Sequence, residues 1–398
     1  MSCSCGRKKC IITNITQEYC DECLNRLDLS DIEISNFSPA VCQQIGNLIN
    51  LTILYIRGNQ ITQIPSEIGK LVNLVRLDLS DNEISNFSPA VCQQIGNLVN
   101  LDELHIQDNQ ITSVPPEIGN LLNLDYLDFS NNMISEIPPE IGKLINLNRL
   151  YFDDNQITLV PPEIENLVNL THLDFRNNQI TLVPPEIRNL VNLDELNINN
   201  NMISKIPPEI GKLVRLTYLD FSNNMISEIS PEIGNLARLE FLDFSNNQIN
   251  RIPPEIGNLV NLDELHIQDN QITAIPSEIG NLTELTYVDF SNNQITYISF
   301  DVCQKIKNLV YLEEFYLDEE DISNIRDFLI SRGIIDISLE NYLQKLKLDT
   351  ESSCSICLSE SDNNFNKLSC EHIFHKKCIL NWLKINLTCP VCRQKPII

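Results

Sequence analysis

The sequence has few of the features that nucleic-acid-binding and membrane proteins need. Its 398 residues contain 28 lysines and arginines against 54 aspartates and glutamates, a formal net charge of −26. This acidity argues against nucleic acid and against anionic membrane surfaces as partners. No run approaches 18 uninterrupted apolar residues, and the opening MSCSCGRKKC has no apolar segment after its charges. We therefore expect neither a membrane span nor a secretory signal.

Cysteine, by contrast, is plentiful, with 14 residues. Without a secretory signal, and with pairwise Cys/His spacing near the C-terminus, reduced thiols that bind metal are favoured over disulfides. We expect a cytoplasmic or nuclear protein. Residues 1–23 hold five cysteines at irregular spacing, so a zinc site and an N-terminal cap with free thiols both stay open. They are Cys3, Cys5, Cys10, Cys20 and Cys23.

A repeated unit, L-x-x-L-x-L/I/F-x-x-N-x-I, occupies residues 24–320. The step is 23 residues, with three longer steps of 27, so about 13 units fit. The first and last units have Ile32 and Glu320 at the Asn position, as expected of terminal units that lack one neighbour. The repeated asparagines are Asn59, Asn82, Asn109, Asn132, Asn155, Asn178, Asn201, Asn224, Asn247, Asn270 and Asn293.

These units resemble the leucine-rich-repeat family. The resemblance implies an α/β solenoid, a horseshoe whose short parallel strands line the concave face. Alternation agrees, since it points Leu127 and Phe129 inward and leaves Tyr126, Asp128 and Ser130 on the concave solvent side. The repeated Asn can satisfy backbone groups at the bend after each strand. In the run IPPEIGNL, Pro and Gly mark turns and argue against a long helix on the convex side.

The three longer units share an insertion that places Cys42, Cys92 and Cys303 at the same phase. A helical turn that buries a small thiol is favoured over a reactive cysteine. Beyond the repeats, residues 321–350 show two apolar faces at helical spacing. We expect a C-terminal cap and a helical connector there; dimerisation through a coiled coil is the alternative.

Residues 351–398 differ from the rest in charge and in ligand content. Six basic and four acidic residues give them a net +2, which leaves −28 on the remainder and supports a domain boundary near residue 350. Eight donors follow the order Cys-x2-Cys, x12, Cys-x-His-x2-His-x2-Cys, x10, Cys-x2-Cys. Two structural Zn²⁺ ions would use all eight, leaving no open position for an activated water.

This segment resembles a RING finger of the variant with two central histidines. The resemblance implies interleaved ligands, with Cys354, Cys357, His375 and Cys378 on the first zinc and Cys370, His372, Cys389 and Cys392 on the second. It also implies that a ubiquitin-conjugating enzyme loaded with ubiquitin docks on Ile356, Trp382 and Pro390. In many members a basic residue after the last ligand touches the donor ubiquitin, and Arg393 stands there. Trp382 as a filler of a minimal core is the other interpretation.

The expected function is that of a RING-type ubiquitin ligase without a nucleophile of its own, whose repeats recruit a protein substrate. The alternatives are a scaffold whose zinc module only docks or dimerises, and a cysteine-dependent ligase. The acidic, aromatic-bearing concave face suggests a basic or amphipathic substrate segment, although a face that only confers solubility stays open. His105, His172 and His266 are interpreted as polar surface residues rather than metal ligands. Candidate substrate-recruiting residues are Tyr126, Asp128, Tyr151, His172, Asp174, Tyr218, Asp220, Phe241, Asp243 and Tyr287.

Overall fold

The computed structural model describes residues 25–317, apart from 86, 88, 296, 297 and 307, together with 365–367, 373–375 and 379. These residues group into two compact units, one up to Ile249 and the other from Asn250 onward. Both units contain the repeats. The N-terminal cysteines, the connector and most of the Cys/His segment lie outside the described residues.

The first unit contains ten three-residue strands, and neighbouring strands within this unit pair in parallel in chain order. The central residue of each strand is the first leucine of the L-x-L pattern, and its side chain points into the core while the two residues beside it point away. The strands are β1 (Arg26–Asp28), β2 (Ile53–Tyr55), β3 (Arg76–Asp78), β4 (Glu103–His105), β5 (Tyr126–Asp128), β6 (Arg149–Tyr151), β7 (His172–Asp174), β8 (Glu195–Asn197), β9 (Tyr218–Asp220) and β10 (Phe241–Asp243).

The second unit continues the same pattern. Strands β11 (Glu264–His266), β12 (Tyr287–Asp289) and β13 (Glu314–Tyr316) pair in parallel in chain order. Separately, β14 (Phe365–Lys367) and β15 (Ile373–His375) form an antiparallel pair. The parallel repeat strands expected from the sequence are therefore confirmed in both units.

The segment that returns to the next strand differs between long and short repeats. The three 27-residue steps contain α-helices, α1 (Pro39–Gly46), α2 (Pro89–Ile95) and α3 (Phe300–Ile306). In the described 23-residue repeats a five-residue 3₁₀ helix replaces them, and proline at or before its first turn fits so short a helix. These span Ser66–Lys70, Pro116–Asn120, Pro139–Lys143, Pro162–Asn166, Pro185–Asn189, Pro208–Lys212, Pro231–Asn235, Pro254–Asn258 and Ser277–Asn281.

The repeated asparagine satisfies backbone groups of its own repeat and of its neighbours. The Asn132 side-chain amide donates to the carbonyls of Ile106 (3.2 Å), Phe129 (3.1 Å) and Ser130 (3.1 Å). Its Oδ1 accepts from the backbone N–H of Ile111 at 2.9 Å. The role expected of this asparagine is confirmed, and a buried amide so fully bonded ties successive repeats together.

We call the repeated asparagines the asparagine ladder. The residue before each of them has a left-handed backbone conformation. At Asn131, Asp154 and Asn177 φ lies between 53° and 54°. Asn and Asp tolerate this region better than other residues with side chains, and Gly58, with φ 65°, takes the same place in its repeat. This requirement explains the recurring N-N, D-N and G-N pairs in the sequence.

Buried apolar residues from every repeat form the core. The middle residues of the first-unit strands are almost all leucines without solvent exposure, and phenylalanines stack from repeat to repeat. The Phe129 and Phe152 ring centroids lie 5.5 Å apart, and those of Phe152 and Phe175 lie 6.1 Å apart. Leu127 and Phe129 are fully buried, as the alternation predicts.

The thiols of the long repeats have structural surroundings. Cys42 is buried on α1, and its thiol contacts the carbonyl oxygen of Phe37 at 3.7 Å. Cys92 on α2 makes the equivalent contact with Phe87 at 3.6 Å. Burial, reinforced by a nearby glutamate, raises the pKa of both thiols and so disfavours the reactive thiolate. Cys303 lies on α3, and its side chain is outside the described part.

Candidate functional site

Nine of the ten candidate substrate-recruiting residues lie on one surface of the first unit, and Tyr287 has the equivalent place in the second unit; we call this surface the sheet face of each unit. It consists of the first and third residues of each repeat strand, whose side chains point away from the core. All ten predicted residues occupy such positions on β5, β6, β7, β9, β10 and β12. Whether they bind a substrate stays a prediction.

Two aspartates of the sheet face are less accessible to a substrate than their outward-pointing strand positions suggested. Asp128 and Asp220 are only 7% and 5% exposed. Oδ1 of Asp128 accepts from the backbone N–H of Ser130 at 2.9 Å, and Oδ2 accepts from the Tyr126 hydroxyl at 3.1 Å. In Asp220, Oδ2 accepts from the Asn199 side-chain amide at 2.7 Å. These carboxylates cap the strand ends, a role that the D-x-S pattern signals and that our sequence reasoning missed.

Aromatic side chains form separate stacks on the sheet face. Tyr218 and Phe241 lie parallel, with centroids 4.5 Å apart and an interplanar angle of 4°. Tyr126 lies between His105, at 4.5 Å, and Tyr151, at 5.4 Å. Burial and the nearby Asp128 raise the pKa of the Tyr126 hydroxyl, so it stays a neutral donor. The stacks give rigid, amphipathic contact area of the kind that interfaces favour.

A compact charged cluster lies at the middle of the first unit. The Arg176 guanidinium contacts Oδ2 of Asp153 at 3.1 Å and Oδ2 of Asp174 at 3.7 Å. Burial raises the pKa of Asp174 to about 7, and the neighbouring Asp153 adds to the increase. The hydrogen bond from the Arg176 backbone N–H opposes this increase. This raised pKa means that Asp174 holds its proton at higher pH than an ordinary aspartate does.

The sheet-face histidines each contact a glutamate. The distances are 3.1 Å for His105–Glu103 and 3.4 Å for His172–Glu195. His266 contacts Glu264 at 3.0 Å. Within the described ranges, no group of three or more histidine, cysteine or acidic side chains could hold a metal ion.

Little of the predicted zinc segment falls within the described residues. His375 is the last residue of β15, and β14 and β15 pair with Phe365 opposite His375. The connection between them, 368–372, contains Cys370 and His372 in the sequence. The remaining predicted ligands and contacts lie outside the described part: Cys354, Cys357, Cys378, Cys389, Cys392, Ile356, Trp382, Pro390 and Arg393.

No helix in the described part of the chain has the length and apolar character that a membrane crossing requires.

Comparison with curated proteins finds short regions of similarity to ubiquitin ligases. The chain is 35% identical over 89 residues, or 22% of its length, to E3 ubiquitin-protein ligase RNF12-B of Xenopus laevis. It is 41% identical over 59 residues, or 14% of its length, to the probable E3 ubiquitin-protein ligase XERICO of Arabidopsis thaliana. These regions span only 11% and 36% of the two relatives.

The repeats match families and structures over much greater lengths. A solved leucine-rich-repeat protein of Leptospira interrogans is 30% identical, with a TM-score of 0.51. That match covers 77% of this chain and 94% of the other. The model described as "Leucine-rich repeat region" matches residues 90–176 and 208–383, more than half of the chain. Two further repeat models match residues 49–102 and 168–211. The chain therefore belongs to the leucine-rich-repeat family.

Proposed function

We propose that this chain is a RING-type ubiquitin ligase whose leucine-rich repeats recruit the protein substrate. The order and spacing of eight cysteine and histidine residues in 351–398 carry the proposal. Similarity to proteins named as E3 ubiquitin ligases supports it.

The donor set fits zinc. Six thiolates and two imidazoles are the ligands that tetrahedral structural Zn²⁺ prefers, and pair spacing suits a short segment with little apolar core of its own. The β14–β15 pair supports the assignment, because it places Lys367 opposite Ile373 and so brings together the two ends of the connection that contains Cys370 and His372 in the sequence. Bound zinc would supply structure rather than a reactive water.

The remaining residues of the segment act through positioning. Ile356, Trp382 and Pro390 form the apolar contact for a conjugating enzyme, and Arg393 restrains the donor ubiquitin. Ubiquitin passes from the conjugating enzyme's thioester to the substrate amine, so this chain contributes orientation rather than a covalent intermediate. Cys42 and Cys92 suit no nucleophilic role, since burial raises their pKa.

The sheet face is proposed as the substrate surface, with a basic or amphipathic segment as the occupant. The Tyr218–Phe241 stack offers apolar contact beside Glu195, whose side chain is 52% exposed. The carboxylates at the strand ends already accept hydrogen bonds within the protein. They therefore act on a substrate through their negative potential more than through direct contacts. Binding should therefore depend on the aromatic stack and weaken with salt.

Autoubiquitination of the full chain with a panel of conjugating enzymes tests the ligase proposal. We expect ubiquitin chains with at least one enzyme, and none with Trp382→Ala or Ile356→Ala while zinc content stays unchanged. Leu159→Ala, an exposed apolar truncation within the repeats, is the control and should keep activity. No chains with any enzyme, despite two bound zinc ions, would favour the scaffold instead. A thioester on this chain in non-reducing gels would favour the cysteine-dependent mechanism.

A synthetic amphipathic peptide with lysine and arginine on its polar face tests the sheet face by fluorescence anisotropy. The paired change Tyr218→Ala/Phe241→Ala should weaken binding at least tenfold. Met202→Ala/Met225→Ala truncates exposed side chains in neighbouring turns outside the sheet face and should leave binding unchanged. Equal binding of a peptide with glutamates at the charged positions would overturn the assigned substrate class.

A further inference from the structure

Most repeats leave one aliphatic side chain exposed in the connection between the helical segment and the next strand. In the first unit these residues are 43% to 56% exposed in eight successive repeats. A row of this regularity differs from the single exposed apolar residues that every protein surface carries. We name this row the aliphatic ridge; it consists of Ile49, Val72, Val99, Leu122, Ile145, Val168, Val191 and Val214.

A second set of asparagines, on the surface, holds the ridge in place. The residue after each ridge residue is Asn in most repeats. Its side-chain amide donates to the backbone carbonyl of the ridge residue in the previous repeat. Asn146, for example, donates to Leu122 at 2.8 Å, and Asn123 donates to Val99 at 2.8 Å. Four equivalent bonds continue the series, to Ile49, Val72, Ile145 and Val168. The ridge is therefore a regular array that a hydrogen bond anchors from one repeat to the next.

Some repeats of the ridge have a charged residue on one side or the other, lysine on one side and aspartate on the other, and we call these two sides the lysine flank and the aspartate flank. Lys70, Lys143 and Lys212 are exposed at the ends of the 3₁₀ helices on one flank. Asp102 and Asp125 lie on the other flank, immediately before β4 and β5. Burial raises the pKa of Asp102, and its neighbours Asp125 and Glu103 raise it further. In the described part of the chain none of these lysines forms an ion pair, and neither do Asp102 and Asp125.

We propose that the aliphatic ridge is the contact surface for a second copy of this chain, related by a two-fold axis parallel to the ridge. Another copy of the array has the matching spacing along its whole length. With this axis the lysine flank of each copy faces the aspartate flank of the other, about one repeat away. A two-fold axis across the ridge would instead place aspartates against aspartates.

The size of the surface suits a stable dimer. The ridge residue and one exposed position on each side give three positions in each of eight repeats. That number of positions falls within the roughly 20–30 residues per partner of a standard interface. The contact is isologous, since each ridge residue meets its own copy. This inference does not depend on the proposed ligase function.

The oligomeric state of the full chain gives the first test. Sedimentation velocity should find a dimer at tens of micromolar, and Leu122→Glu/Ile145→Glu should shift the chain to monomer while circular dichroism stays unchanged. Leu159→Glu/Leu182→Glu is the matched control, because these residues are 61% and 50% exposed on the segment that leaves the strand. The control should stay dimeric. A monomeric wild-type chain, or a dimer that survives the ridge change, would overturn the proposal.

Cysteine crosslinking tests the orientation. Val72→Cys and Val191→Cys are each treated as full chains with a short bismaleimide, and the peptides are identified by mass spectrometry. A crosslink between two identical peptides can form only between two copies. The parallel two-fold arrangement predicts the 72–72 and the 191–191 crosslinks. Their absence, or a crosslink only between residues 72 and 191 in a mixture of the two variants, would overturn it.

Charge reversal tests the flanks. Lys143→Glu alone and Asp125→Lys alone should each weaken the dimer at least fivefold, because each places like charges across the interface. Both changes in one chain should restore the affinity, since the opposite charges face each other again. Failure of the combined variant to recover, with both single variants weakened, would contradict the proposed pairing of flanks.

Discussion

The contribution of a single asparagine to the stability of this fold depends on how many buried backbone groups its side chain satisfies. Asn132 makes three donated bonds and one accepted bond within the buried ladder. Asn146 is chemically identical, but its side-chain amide donates to the Leu122 carbonyl at the exposed surface. The same side chain therefore has different energetic weight at two positions of one repeat.

Asn132→Ala should lower the free energy of unfolding by about 2–5 kcal/mol, because several buried backbone groups lose their partner. Asn146→Ala should cost less than about 1 kcal/mol, since water replaces the exposed bond. Urea titration followed by circular dichroism measures both. Equal losses in the two variants would contradict the assigned difference.

Asp174 gives a pH-dependent prediction at the same scale. Burial raises its folded-state pKa to about 7, above its ordinary value, so the folded chain keeps a proton that the unfolded chain releases. Its contribution to stability is present at low pH and is lost as pH rises through 7. Asp174→Asn should therefore be more stable than wild type at pH 8, by the order of 1–4 kcal/mol.

The difference between Asp174→Asn and wild type should shrink steadily toward pH 4. The asparagine oxygen can still accept the Arg176 backbone bond, so the substitution changes charge and little else. Thermal melts across pH 4–8 measure the difference. A difference that does not vary with pH would mean that Asp174 does not titrate in this range.

At one core position, successive repeats match in the volume that the side chain fills more than in the identity of the residue. Phe129, Phe152 and Phe175 stack in three successive repeats. Ile106 and Ile198 occupy the same position in the repeats on either side and are equally buried. The position therefore accepts an aromatic or a branched aliphatic residue, provided that the space is filled.

Phe152→Ala should cost about 3–5 kcal/mol of unfolding free energy, because it leaves a cavity between two repeats. Phe152→Leu should cost less than about 1.5 kcal/mol, since neighbouring repeats already use an aliphatic side chain there. Equilibrium denaturation compares the two. A leucine variant as unstable as the alanine variant would show that ring stacking, and not volume, sets the stability here.

The sequence predicted the strands, their parallel order and the asparagine ladder, because one signature is repeated many times and each copy constrains the others. The D-x-S motif also appears repeatedly, but Asp128 was interpreted only by its outward position, so its capping bonds went unpredicted. The aliphatic ridge was missed because exposure at Leu122 depends on how the return segment packs. Such packing is not visible in hydrophobic periodicity alone.

The whole molecule combines a large acidic set of repeats with a short C-terminal segment that contains six cysteines and two histidines at zinc-ligand spacing. The family of the array rests on matches over more than half of the chain. The assignment of zinc to the C-terminal segment depends on the spacing of eight donors and stays a prediction. A measurement of metal content therefore comes before any measurement of activity.

The purified full chain should contain two zinc ions by mass spectrometry of the metal. Cys354→Ser should lower this number, because one tetrahedral site loses a thiolate. Strong chelation should unfold the C-terminal segment and leave the repeats folded, since leucine-rich packing needs no metal. A chain with no zinc under reducing conditions would contradict the assignment.

The most direct test of the central claim is discharge of ubiquitin from a conjugating enzyme in a single turnover. A conjugating enzyme already loaded with ubiquitin is mixed with free lysine and the full chain, and loss of the thioester is followed with time. We expect at least a tenfold acceleration that Trp382→Ala abolishes and Arg393→Ala reduces, with no thioester on this chain. An unchanged rate across the panel of conjugating enzymes, with two zinc ions bound, would contradict it.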